Sequence, residues 1–205
     1  MVVHKLLNEI FSTYSNIAVL RAMQDNRQGL SGREISKKAD LSAPSCFQAL
    51  KKLERLKLVT RQKGGRDHLF TLNFDNVALN EAIIPILEFE RHWLNRILGE
   101  IKNNLKNDSL SLILFGSVAR AEENYESDFD IVIILKESKT SSQLDDKVSK
   151  LSIQLNKKFG ISLSTISFSL YDFKKRARKN LPLVNNIITE GKVFSGLSIR
   201  KLLDD

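Results

Sequence analysis

Cysteine is nearly absent. Cys46 stands alone in 205 residues, which excludes an intramolecular disulfide or a multi-cysteine metal centre and suits a reducing compartment. No apolar run approaches the roughly twenty residues that a membrane-spanning helix needs. The start MVVHKLLNEI also lacks the pattern of a secretory signal, so the expectation is a cytoplasmic protein. There is no internal repeat and no low-complexity segment. Net charge is missing from most of the sequence too. Residues 26–66 hold eleven bases (Arg27, Arg33, Lys37, Lys38, Lys51, Lys52, Arg55, Lys57, Arg61, Lys63, Arg66) against three acids (Glu34, Asp40, Glu54), a surplus of +8, and the 21 bases and 21 acids elsewhere cancel. Charge gathered in this way is the footprint of a nucleic-acid-binding element, although a solvated basic surface looks the same until a fold is assigned to it. A chain of this length with 42% hydrophobic residues can bury one large core or two modest ones, and two is the better fit.

The most informative stretch is Leu112 to Leu135, LILFGSVARAEENYESDFDIVIIL. Two short runs of branched apolar residues read as buried strands. Between them lie Gly116 and Ser117, and Asp128 and Asp130 enter the second run. Side chains two apart on a strand share a face, so both carboxylates face one way while Phe129 turns into the core. Two such carboxylates repel unless a cation lies between them, and magnesium takes oxygen ligands of this kind together with substrate phosphates. Gly116 permits the turn and close approach that a phosphate requires, and Ser117 adds a hydroxyl and an amide. On its own the D-x-D pattern is also met in strands with a merely acidic, solvated entrance.

Ten residues separate Ser117 from Asp128. The resulting pattern resembles the motif of the minimal nucleotidyltransferases of the DNA polymerase beta superfamily. The resemblance implies that Gly116, Ser117 and Arg120, the last in the helix after the loop, bind the nucleotide. It also implies that Asp128 and Asp130 are the catalytic, magnesium-binding pair and that a nucleoside triphosphate is ligand or substrate. Active members place a third carboxylate on a later strand. The matching segment here, ISLSTISF from Ile161 to Phe168, has Ser162, Ser164 and Ser167 and no acid. Serine is a poor base at neutral pH, so either Ser162 or Ser164 is expected where the acid would stand. Asp172 is expected to cap the following helix.

Earlier in the chain, Leu6, Ile10, Ile17, Leu20 and Met23 recur at helical spacing and predict one helix from near Lys5 to Gln24. Ser31 with Glu34 makes a capping box for a short helix. Ser42 is the expected N-cap of the next helix, with Pro44 in its first turn, a buried face of Phe47, Leu50, Leu53 and Leu56, and an outer face of Ser45, Gln48, Lys51, Lys52 and Arg55. Val59 to Gln62 and Leu69 to Asn73 read as a hairpin with a basic tip, Lys63-Gly64-Gly65-Arg66. This order, and the stretch LSAPSCFQALKKLERLKLVTR in particular, resembles a winged helix of the MarR-type regulators, which often have glycine where Lys57 stands. The resemblance implies binding to double-stranded DNA. Ser42 starts the recognition helix, Ser45 and Gln48 read bases, and Lys51, Lys52, Arg55 and Arg66 hold phosphate. The Lys63–Gly64–Arg66 tip touches backbone or minor groove. Winged helices also serve as protein-interaction modules.

The fold class expected is α+β. A winged helix-turn-helix domain covers 1–75, a helical connector 76–107 and a small mixed-sheet nucleotidyltransferase-like domain 108–205. The connector carries a broad apolar stripe, including Ile83, Ile86, Leu87, Trp93, Ile97 and Ile101, with Pro85 restarting or kinking its helix. So wide a stripe suits packing on both domains or a homodimer. Ser141 to Phe159 predicts an amphipathic crossover helix ended by Gly160. The basic run Lys174, Lys175, Arg176, Arg178, Lys179 is either a solvated helix face or a contact for triphosphate or RNA. Two functions fit: a DNA-binding regulator with a nucleotide-binding domain of impaired catalysis, or an active enzyme moving a nucleoside monophosphate onto a protein or RNA hydroxyl.

Overall fold

The structure, a computed structural model, describes residues 4–64, 67–136 and 141–204. They form two units, Met1–His92 and Trp93–Asp205.

The first unit opens with a difference from the expected single helix. Two helices occur, α1 (Leu6–Ile10) and α2 (Tyr14–Met23). The break lies at Phe11 to Thr13, where Thr13 accepts from the Asn16 N–H as the N-cap of α2. Asn16 is buried, and its side-chain amide donates to the carbonyls of Glu9 (3.2 Å) and Ile10 (3.0 Å). Carbonyls orphaned at the end of α1 are thus satisfied by a side chain from α2. Hydrophobic spacing runs through the break without registering it, whereas Ser12, Thr13 and Asn16 carry the signal in their capping chemistry.

After the two-residue strand β1 (Leu30–Ser31) comes α3 (Gly32–Lys38), which begins with the expected capping box. Ser31 Oγ accepts from the Glu34 N–H, and the Ser31 N–H donates to the Glu34 carboxylate at 2.8 Å. Helix α4 (Ala43–Arg55) follows with Ser42 as N-cap and Pro44 in its first turn. Its buried face is Cys46, Ala49, Leu50 and Leu53. Phe47, expected inside, is 58% exposed. The reason is geometric. A row spaced by three residues drifts about 60° around a helix at each step, so Phe47 and Leu56 lie at opposite shoulders of the stripe. Burial pushes the Cys46 thiol above its usual pKa, which leaves it an inert core group.

Lys57 has φ 63°, the left-handed bend that glycine adopts at least cost. Beyond it β2 (Val59–Gly64) pairs antiparallel with β3 (Asp67–Leu72), which in turn pairs with β1. A π-helical turn (Leu79–Ile83) leads into α5 (Ile84–Arg91), which has Pro85 in its first turn. Leu79, Ile83 and Leu87 complete this core.

The second unit starts with α6 (Trp93–Leu105) and contains one four-stranded sheet in the order β6-β5-β4-β7. Strands β4 (Ser109–Leu114) and β5 (Phe129–Leu135) are antiparallel, with the short α7 (Gly116–Arg120) between them. The crossover α8 (Ser141–Phe159) brings β6 (Leu163–Phe168) parallel to β5. Helices α9 (Leu170–Arg178) and α10 (Pro182–Glu190), strand β7 (Lys192–Gly196) beside β4, and α11 (Ile199–Leu203) close the unit.

Alternation along the strands sorts their side chains. Leu112, Leu114, Phe129, Ile131 and Ile133 pack with α6 and α8, while Ile113, Val132 and Ile134 pack with α9, α10 and α11. Each such side chain, fully buried, contributes about 1.5–3 kcal/mol of transfer free energy. Asp130 has the parity of Val132 and Ile134, so it belongs to the face that carries α10.

Candidate functional site

The acid pair stands where β5 begins. Phe129 is buried, as expected of a residue between two outward carboxylates, and Asp130 is half-buried beside exposed Asp128. The Phe115 N–H donates to the Asp130 carbonyl at 3.1 Å, which fixes the turn from β4 against β5. Gly116 has φ +74°, and a Cβ added to it would lie 2.5 Å from Asp130 Oδ2. Only glycine lets the loop come this close to the carboxylate. Ser117 follows in the first turn of α7, whose N-cap, Phe115, supplies no side-chain cap.

Strand register places Ser164 beside Asp130. In the parallel ladder Asp130 is the partner of Ser164, and the Phe129 N–H donates to the Ser162 carbonyl at 2.8 Å. In-register partners on adjacent strands project on the same face. A hydroxyl is therefore the neighbour of Asp130 on β6. Among the described residues, no group of three or more His, Cys, Asp or Glu side chains is placed to hold a metal ion. Asp172, Glu122 and Glu190 are engaged elsewhere. Asp172 is not the cap of α9: Ser169 is, and the Asp172 carboxylate accepts from Ser169 Oγ at 2.8 Å. Glu122 accepts from Arg120 Nε, and Glu190, at the end of α10, accepts from Arg120 Nη1, both at 2.7 Å. Arg120 is thus in the helix after the loop, as expected, but it is clamped between two carboxylates. Its pKa is raised by the hydrogen bonds to Glu122 and then Glu190. Glu190 carried no sequence signal, because a lone acid at a helix end is common.

The basic run of α9 serves its own unit in part. Arg176 lies over the Phe168 ring at 5.3 Å, and Lys174 Nζ donates to the Asp204 carbonyl.

The second candidate surface is α4. Gln48, Lys51 and Arg55 are exposed, and they line a cleft of about 520 Å³ with Glu9, Lys52 and Leu56. Lys52 differs from them. Its ammonium is 2.9 Å from Glu9 and donates to Ser12 Oγ, so its charge is already matched by a carboxylate of α1. The hydroxyls of Ser42 and Ser45 are tied to each other at 2.9 Å within the cap. Lys63 is exposed near the end of β2, and Gly64 is that strand's last residue. Arg66, expected at the hairpin tip, lies outside the described residues.

The sequence pattern of the MarR family matches residues 13–68, and that described as polymerase beta, nucleotidyltransferase, matches residues 99–196. No curated protein matches the chain. Among solved structures, a toxin–antitoxin complex with AMP-PNP is 15% identical and covers 51% of this chain and 77% of its own, with a TM-score of 0.35. NadR in complex with 4-hydroxyphenylacetate is 26% identical, with 49% and 73% covered and a TM-score of 0.38. The S. aureus MepR–DNA complex is 24% identical, with 49% and 80% covered and a TM-score of 0.33. No described helix is long and apolar enough to cross a membrane. The chain joins a MarR-like winged-helix domain to a nucleotidyltransferase-like domain of the polymerase beta type.

Proposed function

We propose that the protein is a DNA-binding regulator whose nucleotidyltransferase domain binds a nucleotide with magnesium but transfers its nucleotidyl group slowly or not at all. One observation carries the second half of this reading: the partner of Asp130 on β6 is Ser164. Two carboxylates and neighbouring hydroxyls form an all-oxygen donor set, which suits magnesium rather than a softer metal. Magnesium held by Asp128 and Asp130 would neutralise charge on the nucleotide phosphates. Gly116 lets the phosphates approach the backbone, and Ser117 offers its hydroxyl and amide. Ser164 can orient an acceptor hydroxyl but cannot take its proton at neutral pH. A missing general base costs about 10²–10⁴-fold in rate, enough to separate a sensor from an enzyme.

For the first half, support comes from the charge surplus of residues 26–66 and the exposure of Gln48, Lys51 and Arg55 on one helix. Ile86 on α5 is 47% exposed, apolar surface that a second copy would cover, and a two-fold pair would match a two-fold operator.

Calorimetry with magnesium and each nucleoside triphosphate tests the nucleotide half. Wild type is expected to bind one of them, and Asp128→Ala with Asp130→Ala to lose that binding. Transfer of label from the triphosphate to a protein or RNA at ordinary enzymatic rates would replace the sensor with an active transferase. Electrophoretic shift at stated salt tests the DNA half, since phosphate contacts make affinity salt-dependent. Equal affinity for all sequences would remove site-specific regulation.

A further inference from the structure

Phe47 is the most exposed of the eleven phenylalanines, at 58%. It is the fifth residue of α4, in the N-terminal half of that helix. Lys51 stands one turn further on, Pro44 three residues back, and both are exposed. The core beneath is already closed by Cys46, Ala49, Leu50 and Leu53, so packing does not require an aromatic ring at this place. An apolar ring set among bases fits a partner that is anionic over most of its surface and apolar at a few points. DNA offers this combination in its major groove, where the only protruding apolar group on the base edges is the thymine methyl. A protein partner would need an apolar recess inside an acidic surface, and it is the less economical occupant of a face that also carries Gln48, Lys51 and Arg55.

We infer that Phe47 is a specificity residue that reads thymine by covering its 5-methyl group in the major groove. The inference rests on the DNA-binding reading and deepens it. Residues in the N-terminal part of a recognition helix are the ones that reach base edges. Gln48, its neighbour, can pair with adenine through N6 and N7. Together they favour A·T pairs at the centre of each half-site, while Lys51 and Arg55 hold phosphate and carry no sequence information.

The test uses the full chain. Binding sites are selected from random duplex DNA, and each thymine of the selected site is then replaced in turn by uracil, which removes only the methyl. Wild type is expected to lose about fourfold in affinity at one or two positions per half-site, the worth of one buried methyl. Phe47→Ala is expected to bind more weakly and to be indifferent to uracil at those positions. Lys51→Ala weakens binding at every sequence and keeps the uracil effect. Phe47 is outside the core, so Phe47→Ala should melt with wild type, and Phe47→Leu, which keeps an apolar contact, should retain part of the uracil effect. If Phe47→Ala keeps wild-type affinity, or keeps the same uracil sensitivity, the inference is overturned while DNA binding stands. If wild type selects no sequence at all, the DNA-binding reading falls and takes this one with it.

Discussion

On α4 the candidate contacts lie along a single helix, with Gln48, Lys51 and Arg55 a turn or less apart, whereas the acid pair of the second unit sits where two strands meet a five-residue helix. On the proposed DNA-binding reading the helix face is additive. Each base on it would make its own approach to a phosphate, and losing one would leave the others in place. The strand-end site is cooperative in geometry. Gly116 makes room for Asp130, Asp130 is placed by β5, and β6 sets the Ser164 position beside it. On these readings one residue would change the affinity of the first surface by a step, but could change what the second is able to do.

The largest expected effect follows from this contrast. Ser164→Asp sets a carboxylate beside Asp130 and should raise nucleotidyl transfer by about 10²–10⁴-fold, the usual worth of a general base. Transfer of label from an α-labelled triphosphate measures it. Ser162→Asp, one residue before β6 begins, should gain much less. Equal gains from both would mean that an acid opposite either carboxylate suffices, and that the pairing of Ser164 with Asp130 does not govern the site. Next in size is Gly116→Ala, whose Cβ would meet Asp130 Oδ2 in a backbone with φ +74°. It should lose roughly 1–2 kcal/mol of stability from the left-handed conformation alone, seen as a lower urea midpoint, and nucleotide binding should fall with it. Retained nucleotide affinity would show that the loop need not touch Asp130.

The smallest effect is on the helix-built side. The Ser31 N–H and then its hydroxyl hold the Glu34 carboxyl below the usual glutamate range. A depressed folded-state pKa gives stability that is present above the unfolded value, about 4.3, and is lost as pH falls below it through the folded value. Melting temperatures of wild type and Glu34→Gln should therefore differ slightly at neutral pH and converge in acid. A difference that persists there would mean the amide and the carboxylate cap differently for reasons other than charge.

Sequence made the strand-end site readable because its chemistry is concentrated in Gly116, Ser117, Asp128 and Asp130, whose spacing is itself the signal. Register was not readable, since Ser162 and Ser164 share a parity and only the parallel pairing of Asp130 with Ser164 distinguishes them. For α4 the opposite held. Its start was legible from Ser42 and Pro44, but the inner face was misplaced at Phe47, because the small residues Cys46 and Ala49 bury easily and lend little weight to an apolar pattern. The two-helix start was hidden for a similar reason: the apolar spacing is continuous across Phe11 to Thr13, and polar capping groups interrupt it. Partners such as Glu9 for Lys52 and Glu190 for Arg120 depend on tertiary placement, which local pattern does not contain.

The Lys52 pair with Glu9 has a consequence for the way DNA would see this surface. Duplex DNA releases counterions for each phosphate that a protein neutralises, and a lysine already matched by a carboxylate has little neutralisation left to give. The slope of log affinity against log salt should then be shallower than the count of bases on residues 26–66 suggests. Glu9→Ala would unmask one such charge. It should steepen that slope by about one unit and strengthen binding at low salt, so that removing an acid from α1, which reads no base, makes the whole surface more adhesive and less discriminating.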